Sequence, residues 1–173
     1  MASVYDVKPQ FQKLLQPLLA ALRSAGVTPN HLTLIALLLS IAVGSALTRA
    51  AEAPRWFLLL PLWLFMRMAL NALDGMMARQ YQLATPLGAV LNEMGDILSD
   101  LALYLPLAFT GSERVWPAVA FVIGAMLSEC SGLLAQALGR GRRYDGPMGK
   151  SDRALVIGAW ALPANRAPMP TTA

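Results

Sequence analysis

The chain has 173 residues, of which 56% are hydrophobic and only 14% are charged, and its mean hydropathy is +0.50. Water-soluble domains carry about 25% charged residues, so these figures exclude an ordinary soluble domain and describe an integral membrane protein. The net charge of +4 comes from clustered cations, which points to anionic lipid or phosphate partners before nucleic acid.

In chain order, Met1 to Gln10 contains Asp6 and Lys8 and no apolar h-region, which argues against a cleaved signal peptide there. Phe11, Leu14, Leu15, Leu18, Leu19 and Leu22 then recur at helical spacing opposite Gln12, Lys13, Gln16 and Arg23. This pattern predicts an amphipathic helix within residues 1–27, bent at Pro17, that either lies on the membrane surface or packs on the bundle. A helix crossing about 30 Å of hydrocarbon needs about 20 apolar residues. Four segments meet that length: His31 to Leu47, Trp56 to Ala78, Leu87 to Phe109 and Val115 to Leu138. A fifth begins at Ala154 and meets Pro163, too early to cross unless the helix continues through that proline. Residues 28–162 are therefore read as a transmembrane domain and residues 163–173 as a polar tail. Cys130 lies in an apolar stretch and, as the chain's one cysteine, has no internal disulfide partner.

Helix starts are marked by Pro29 with Asn30, by Thr85 with Pro86, and by Ser151 with Asp152. Nine cations flank one side of the spans, Lys8, Lys13, Arg23, Arg79, Arg140, Arg142, Arg143, Lys150 and Arg153, against Arg49, Arg55 and Arg114 on the other. The excess of basic residues puts the N-terminus and the nine-cation side in the cytoplasm.

An aspartate at the centre of a membrane helix costs about 2.5–3.5 kcal/mol on insertion scales, so each intramembrane charge asks for a partner or a purpose. On the second span Arg67, Asn71, Asp74 and Ala78 lie within about 60° of one another, and on the third Gly88, Asn92, Asp96 and Asp100 form a stripe that drifts about 40° per step. Asn71, Asp74, Asn92 and Asp96 fall about one to three turns from the same boundary, where they can meet around one ion. Arg67, Asp100 and Glu129 lie at similar depth or deeper and are expected to pair with one another, which makes the bundle insertable. Oxygen-only donors suit a hard divalent cation such as Mg2+, and neither His31, a boundary residue, nor Cys130 is placed to join them. From the residues alone, an ion site and a buried polar network are equally open.

The run "NALDGMMARQYQLATPLGAVLNEMGD" from Asn71 to Asp96 resembles the signature of the CDP-alcohol phosphatidyltransferase family, D-x-x-D-G-x-x-A-R, eight residues, then G-x-x-x-D-x-x-x-D. Asp74, Gly75, Ala78, Arg79, Gly88 and Asp96 match it, whereas its first and third aspartates are Asn71 and Asn92 here. The resemblance implies a six-helix membrane fold behind a surface helix, relative to which this chain looks truncated, a site open to the cytoplasm and a homodimer. It implies transfer of a phosphatidyl or related phosphoryl group from a CDP-diacylglycerol-like donor to a small polar alcohol, with release of CMP, in phospholipid synthesis at the bacterial inner membrane or its equivalent.

Carried over residue by residue, the resemblance makes Asp74, Asp96, Asn71 and Asn92 the holders of Mg2+ or Mn2+ and Asp96 the base for the acceptor hydroxyl. Gly75, Ala78, Arg79 and Gly88 would receive the nucleotide, although Gly75 and Gly88 equally suit tight helix packing. A carboxylate about 4 Å from a divalent ion gains about 8 kcal/mol gross at an effective dielectric near 20, far more than an amide does. The two asparagines therefore predict weaker metal binding, or one metal in place of two, unless Asp100 or Glu93 restores charge. In the basic loop, Arg140, Arg142, Arg143, Lys150 and Arg153 either follow the positive-inside rule or bind a phosphate on an acceptor such as glycerol 3-phosphate. The rival functions are a pseudoenzyme disabled by the asparagines, kept as a lipid- or nucleotide-binding subunit, and a small transporter or assembly subunit, which would not need the ordered signature.

Overall fold

The computed structural model describes residues 4–110, 115–138 and 150–164, and every regular element among them is helical. Six α-helices follow in order: α1 (Val4–Ser24), α2 (Pro29–Leu47), α3 (Leu59–Gln80), α4 (Pro86–Tyr104), α5 (Val115–Ala137) and α6 (Lys150–Ala164). Short 3₁₀ segments lie between them at Thr48–Ala51, Pro54–Leu58 and Leu105–Thr110.

Helix α1 is unbroken through both Pro9 and Pro17. Its Leu15 and Leu19 are buried against Leu32 of α2 and Leu73, Met76 and Met77 of α3, while Leu14 and Leu18 stay 75% and 49% exposed. One apolar edge thus packs on the bundle, one of the two expected roles, and a second remains outside it.

The start of α2 differs from the expectation. Thr28, not Asn30, is the cap: its hydroxyl accepts from the His31 backbone N–H at 3.4 Å, and the His31 ring returns the bond by accepting from the Thr28 N–H at 3.3 Å. Pro29 then occupies the first turn, where its missing N–H costs nothing. Asn30 is left to face α4. At the start of α4 the expectation holds, with Thr85 accepting from the Gly88 N–H at 2.9 Å ahead of Pro86.

The expected third span changes geometry at Tyr104, because Pro106 has no N–H to give the Ala102 carbonyl and the i to i−4 ladder stops. That carbonyl faces Gly44 of α2, where any added Cβ would collide with it. Such close approach of two backbones is how helices pack where lipid offers no hydrophobic drive.

Three helical stretches are long and apolar enough to cross a membrane: Pro29–Ala50, Pro54–Gln80 and Val115–Ala135. Helix α4, an expected span, is not one of them; it carries three acidic residues, Glu93, Asp96 and Asp100, all buried. Helix α6 does continue through Pro163 to Ala164, but 15 residues reach only about 22 Å, short of the hydrocarbon thickness.

Two apolar clusters bracket the polar residues. One gathers Leu47, Phe57, Leu60, Trp63, Leu103, Tyr104, Val122 and Ala161 at the end of the bundle away from Arg79. The other is the α1–α2–α3 cluster around Met77. Within the first region Trp63 donates its indole N–H to Ser40 at 3.0 Å, and Ser40 donates in turn to the Ala36 carbonyl at 2.7 Å, so these buried polar groups are satisfied.

Candidate active site

The signature halves lie on α3 and α4 and face each other. Helical rise places Asn71 about 12 Å from Arg79 along α3, and Asp96 about 15 Å from Pro86 along α4, so the two residues sit at nearly one depth. There they touch: the Asn71 amide nitrogen donates to Asp96 Oδ1 at 2.9 Å. Asp74 is one turn nearer the Arg79 end, is buried, and accepts from the Thr33 hydroxyl of α2 at 3.3 Å. Asn92 is one turn nearer Pro86 on α4 and is half-buried.

Arg67 is the largest departure from the expected arrangement. It pairs with Asp100, as anticipated, but it also reaches Asp96, donating to the side-chain Oδ1 at 3.2 Å and to the backbone carbonyl at 3.0 Å. The anticipated pairing of Arg67 with Glu129 does not form; Glu129 accepts instead from Arg153 at 2.6 Å. Arg153, expected among the loop cations, is 2% exposed and bridges Glu129 to Asp100, the latter at 3.0 Å. Five carboxylates in the spans, Asp74, Glu93, Asp96, Asp100 and Glu129, all buried, against one arginine there were the signal that a second cation had to enter. Thr33 was missed because its helix reads as uniformly apolar and carries no part of the signature.

The glycines of the signature differ from each other. A Cβ on Gly88 would stand 2.8 Å from Asn30 Oδ1 and 2.9 Å from Thr85 Oγ1, so that space is filled from within the protein and serves α2–α4 packing. A Cβ on Gly75 would meet only the flexible guanidinium of Arg79, at 3.2 Å. Ala78 is half-buried and Arg79 exposed on the same end of α3. Among the described residues no three His, Cys, Asp or Glu side chains are grouped to hold a metal. Glu93 is buried on α4. Arg140, Arg142 and Arg143 lie outside the described residues, and Lys150 opens α6 with its side chain likewise outside them.

The arrangement offers oxygen donors from α2, α3 and α4 at one end of the bundle, next to an exposed arginine, which is chemistry suited to phosphate esters and hard cations. The chain is 51% identical over 160 residues to the inner membrane protein YnbA of Escherichia coli, covering 92% of this chain and 79% of that protein. It is 26% identical over 151 residues to the archaetidylinositol phosphate synthase of Pyrococcus horikoshii, covering 87% and 78% of the two chains. It is 29% identical over 152 residues to the phosphatidylinositol phosphate synthase of Mycobacteroides abscessus, covering 85% and 67%. Residues 26–164 match the CDP-alcohol phosphatidyltransferase domain from α2 to the end of α6, and the chain belongs to that family.

Proposed function

We propose that this chain transfers a phosphatidyl or related substituted phosphoryl group from a CDP-linked lipid such as CDP-diacylglycerol to a small polar alcohol, releasing CMP. The contact between Asn71 and Asp96 at 2.9 Å carries the reading, because it joins the two signature halves at one depth, with Asp74 a turn away. The donors Asp74, Asp96, Asn71 and Asn92 fit one hard divalent cation, Mg2+ or Mn2+, better than two, since amides add no charge. A cation held there would supply neutralisation of the donor pyrophosphate.

In this reading the Asp96 carboxylate takes the acceptor hydroxyl proton as the acceptor oxygen bonds to the β-phosphorus. The bond from that phosphorus to the bridging oxygen breaks, and its electron pair leaves with CMP. Gly75, Ala78 and Arg79 receive the nucleotide phosphates, and the loop cations Arg140, Arg142, Arg143 and Lys150 receive an anionic acceptor. The basic flanks place this end of a multi-pass bundle in the cytoplasm, and the working unit is a homodimer.

One observation favours the rival reading of a catalytically impaired lipid- or nucleotide-binding member. Asn71 and Arg67 both donate to Asp96 Oδ1, so its charge is already matched inside the protein. Purified protein given CDP-diacylglycerol, Mg2+ and a panel of alcohols decides between the two. Release of CMP with formation of the matching phosphatidyl product is expected. The Arg55→Ala variant, altered at an exposed residue of the 3₁₀ segment before α3, should keep that activity. Failure of the wild-type chain to release CMP with every acceptor would leave the impaired reading standing.

A further inference from the structure

The interactions around Asp96 do not end at Arg67. Arg67 Nη2 holds the Asp96 carboxylate and carbonyl, Arg67 Nη1 holds Asp100 Oδ1, Arg153 Nη2 holds Asp100 Oδ2, and the same Arg153 nitrogen holds Glu129 Oε1. Anion and cation alternate through five side chains from α3, α4, α5 and α6, and all five are buried. Each oxygen of Asp100 has its own guanidinium, so what Arg153 does to one oxygen changes what Asp100 asks of Arg67 through the other. In a medium that screens charge poorly, buried groups linked in this way act as a unit.

We propose that Arg153 is a positioning residue for Asp96, acting through Asp100 and Arg67, so that the seating of α6 sets the orientation of the site carboxylate two helices away. This rests on the proposed role of Asp96 in the transfer. Loss of Arg153 removes the guanidinium on Asp100 Oδ2 and leaves Arg67 on Oδ1. Arg67 is then drawn toward Asp100, and Asp96 loses the guanidinium that helps orient it.

The geometry separates this from a merely structural role. Arg153 serves both of its carboxylates from a single nitrogen, a task a lysine ammonium can perform, whereas Arg67 uses two nitrogens in a fixed fork that lysine lacks. Arg153→Gln is therefore expected to lower kcat for CMP release about 10- to 100-fold with KM for CDP-diacylglycerol within about threefold of wild type, and Arg153→Lys to restore most of it, while Arg67→Lys restores little. Because Arg153→Gln leaves two buried carboxylates undercompensated and can unfold the chain, the net-charge-conserving pair Arg153→Leu with Glu129→Leu is made as well. It is expected to fold with a near-normal midpoint yet keep at least about a fivefold loss of kcat. Wild-type kcat in that folded pair overturns the proposal.

A second readout needs no catalysis. Arg153 and Asp96 do not contact each other directly in the chain of bonds above, so Asp96→Asn and Arg153→Lys should lower the thermal midpoint additively unless the relay couples them. Non-additivity of about 2 °C or more in the double variant is expected, and additive losses overturn the relay. A wild-type chain that releases no CMP would remove the proposed function while leaving this cycle readable, so the two failures are distinguishable.

Discussion

Two carboxylate-bearing layers of the bundle, a turn or two apart, are built from the same residue types and end in different states. Near the Arg79 end, Asp74 and Asp96 meet a hydroxyl, an amide and one guanidinium, and half-buried Asn71 and Asn92 stand beside them. Deeper in, Asp100 and Glu129 are held by two guanidinium groups and sealed under Leu103, Tyr104 and Val122. The difference lies in what stands opposite each carboxylate. A guanidinium neutralises a carboxylate and fixes it in place, whereas hydroxyls and amides orient one and leave its charge for a ligand. Asp96 belongs to both layers, since Arg67 grips it from below and Asn71 from the side.

The largest expected effect is on the deep layer. Asp100→Ala leaves Arg67 and Arg153 without their shared anion, and breaking one member of a buried ionic chain costs about 3–5 kcal/mol. For a chain of this size that is a fall of about 10 °C in the unfolding midpoint. A change below about 2 °C would show that water or lipid headgroups already compensate these charges and that the layers are less distinct than their bonds suggest.

Asp74→Ala tests the shallow layer, where the expected loss is catalytic. CMP release should fall by about 100-fold or more, while the midpoint moves by no more than about 4 °C, since the Thr33 hydroxyl is neutral and can turn to the Pro29 carbonyl it already contacts at 3.2 Å. Near-normal turnover in this variant would count against the whole site. Together the two alanine variants should cross over, one failing in stability and the other in activity.

Much of this contrast was legible before any coordinates. The lengths of the apolar runs placed three membrane-crossing stretches, steps of three and four put Asn71 and Asp74 on one stripe and Asp96 and Asp100 on another, and the signature named the pair of helices that must face. Pairings between helices were less legible, because a helical stripe gives azimuth and depth on its own helix and nothing about its neighbour's rotation. Hence Arg67 was matched to Asp100 but not to Asp96, and Glu129 was given the wrong arginine. Arg153 was missed for a different reason: charge counting along the loop gave it to the membrane surface, and only burial of the whole helix start draws it inside. Thr28 was overlooked as a cap because Pro29 and Asn30 both carry start signals, and the nearer residue to the apolar run was preferred.

Asn71→Asp sharpens the same comparison from the ligand side. It sets a second carboxylate oxygen where the amide nitrogen now stands, 2.9 Å from Asp96 Oδ1, converting a self-satisfied pair into one that repels unless a cation intervenes. In chelator the variant should melt about 2–6 °C below wild type and recover with Mg2+, and its Mg2+ affinity should rise about tenfold, the gain growing when Asn92→Asp is added. An unchanged Mg2+ titration would show that these amides are not beside the cation.

The smallest effects concern the two caps at the mouth of the site. Thr85 accepts from Gly88 at 2.9 Å, within the normal range, whereas Thr28 accepts from His31 at 3.4 Å, beyond it. Replacing a capping threonine by alanine costs about 0.5–2 kcal/mol, and the longer bond should fall at the low end. Thr85→Ala should therefore lower the midpoint by about 2–4 °C and Thr28→Ala by about half as much. Thr85 carries a second duty, because its hydroxyl and Asn30 together fill the space beside Gly88. Its loss loosens the α2–α4 contact at the entrance as well as the helix start, which is why the ranking should survive even though Pro86 and Pro29 preset both first turns alike. Equal shifts would mean that neither the cap distances nor the packing around Gly88 sets the ranking.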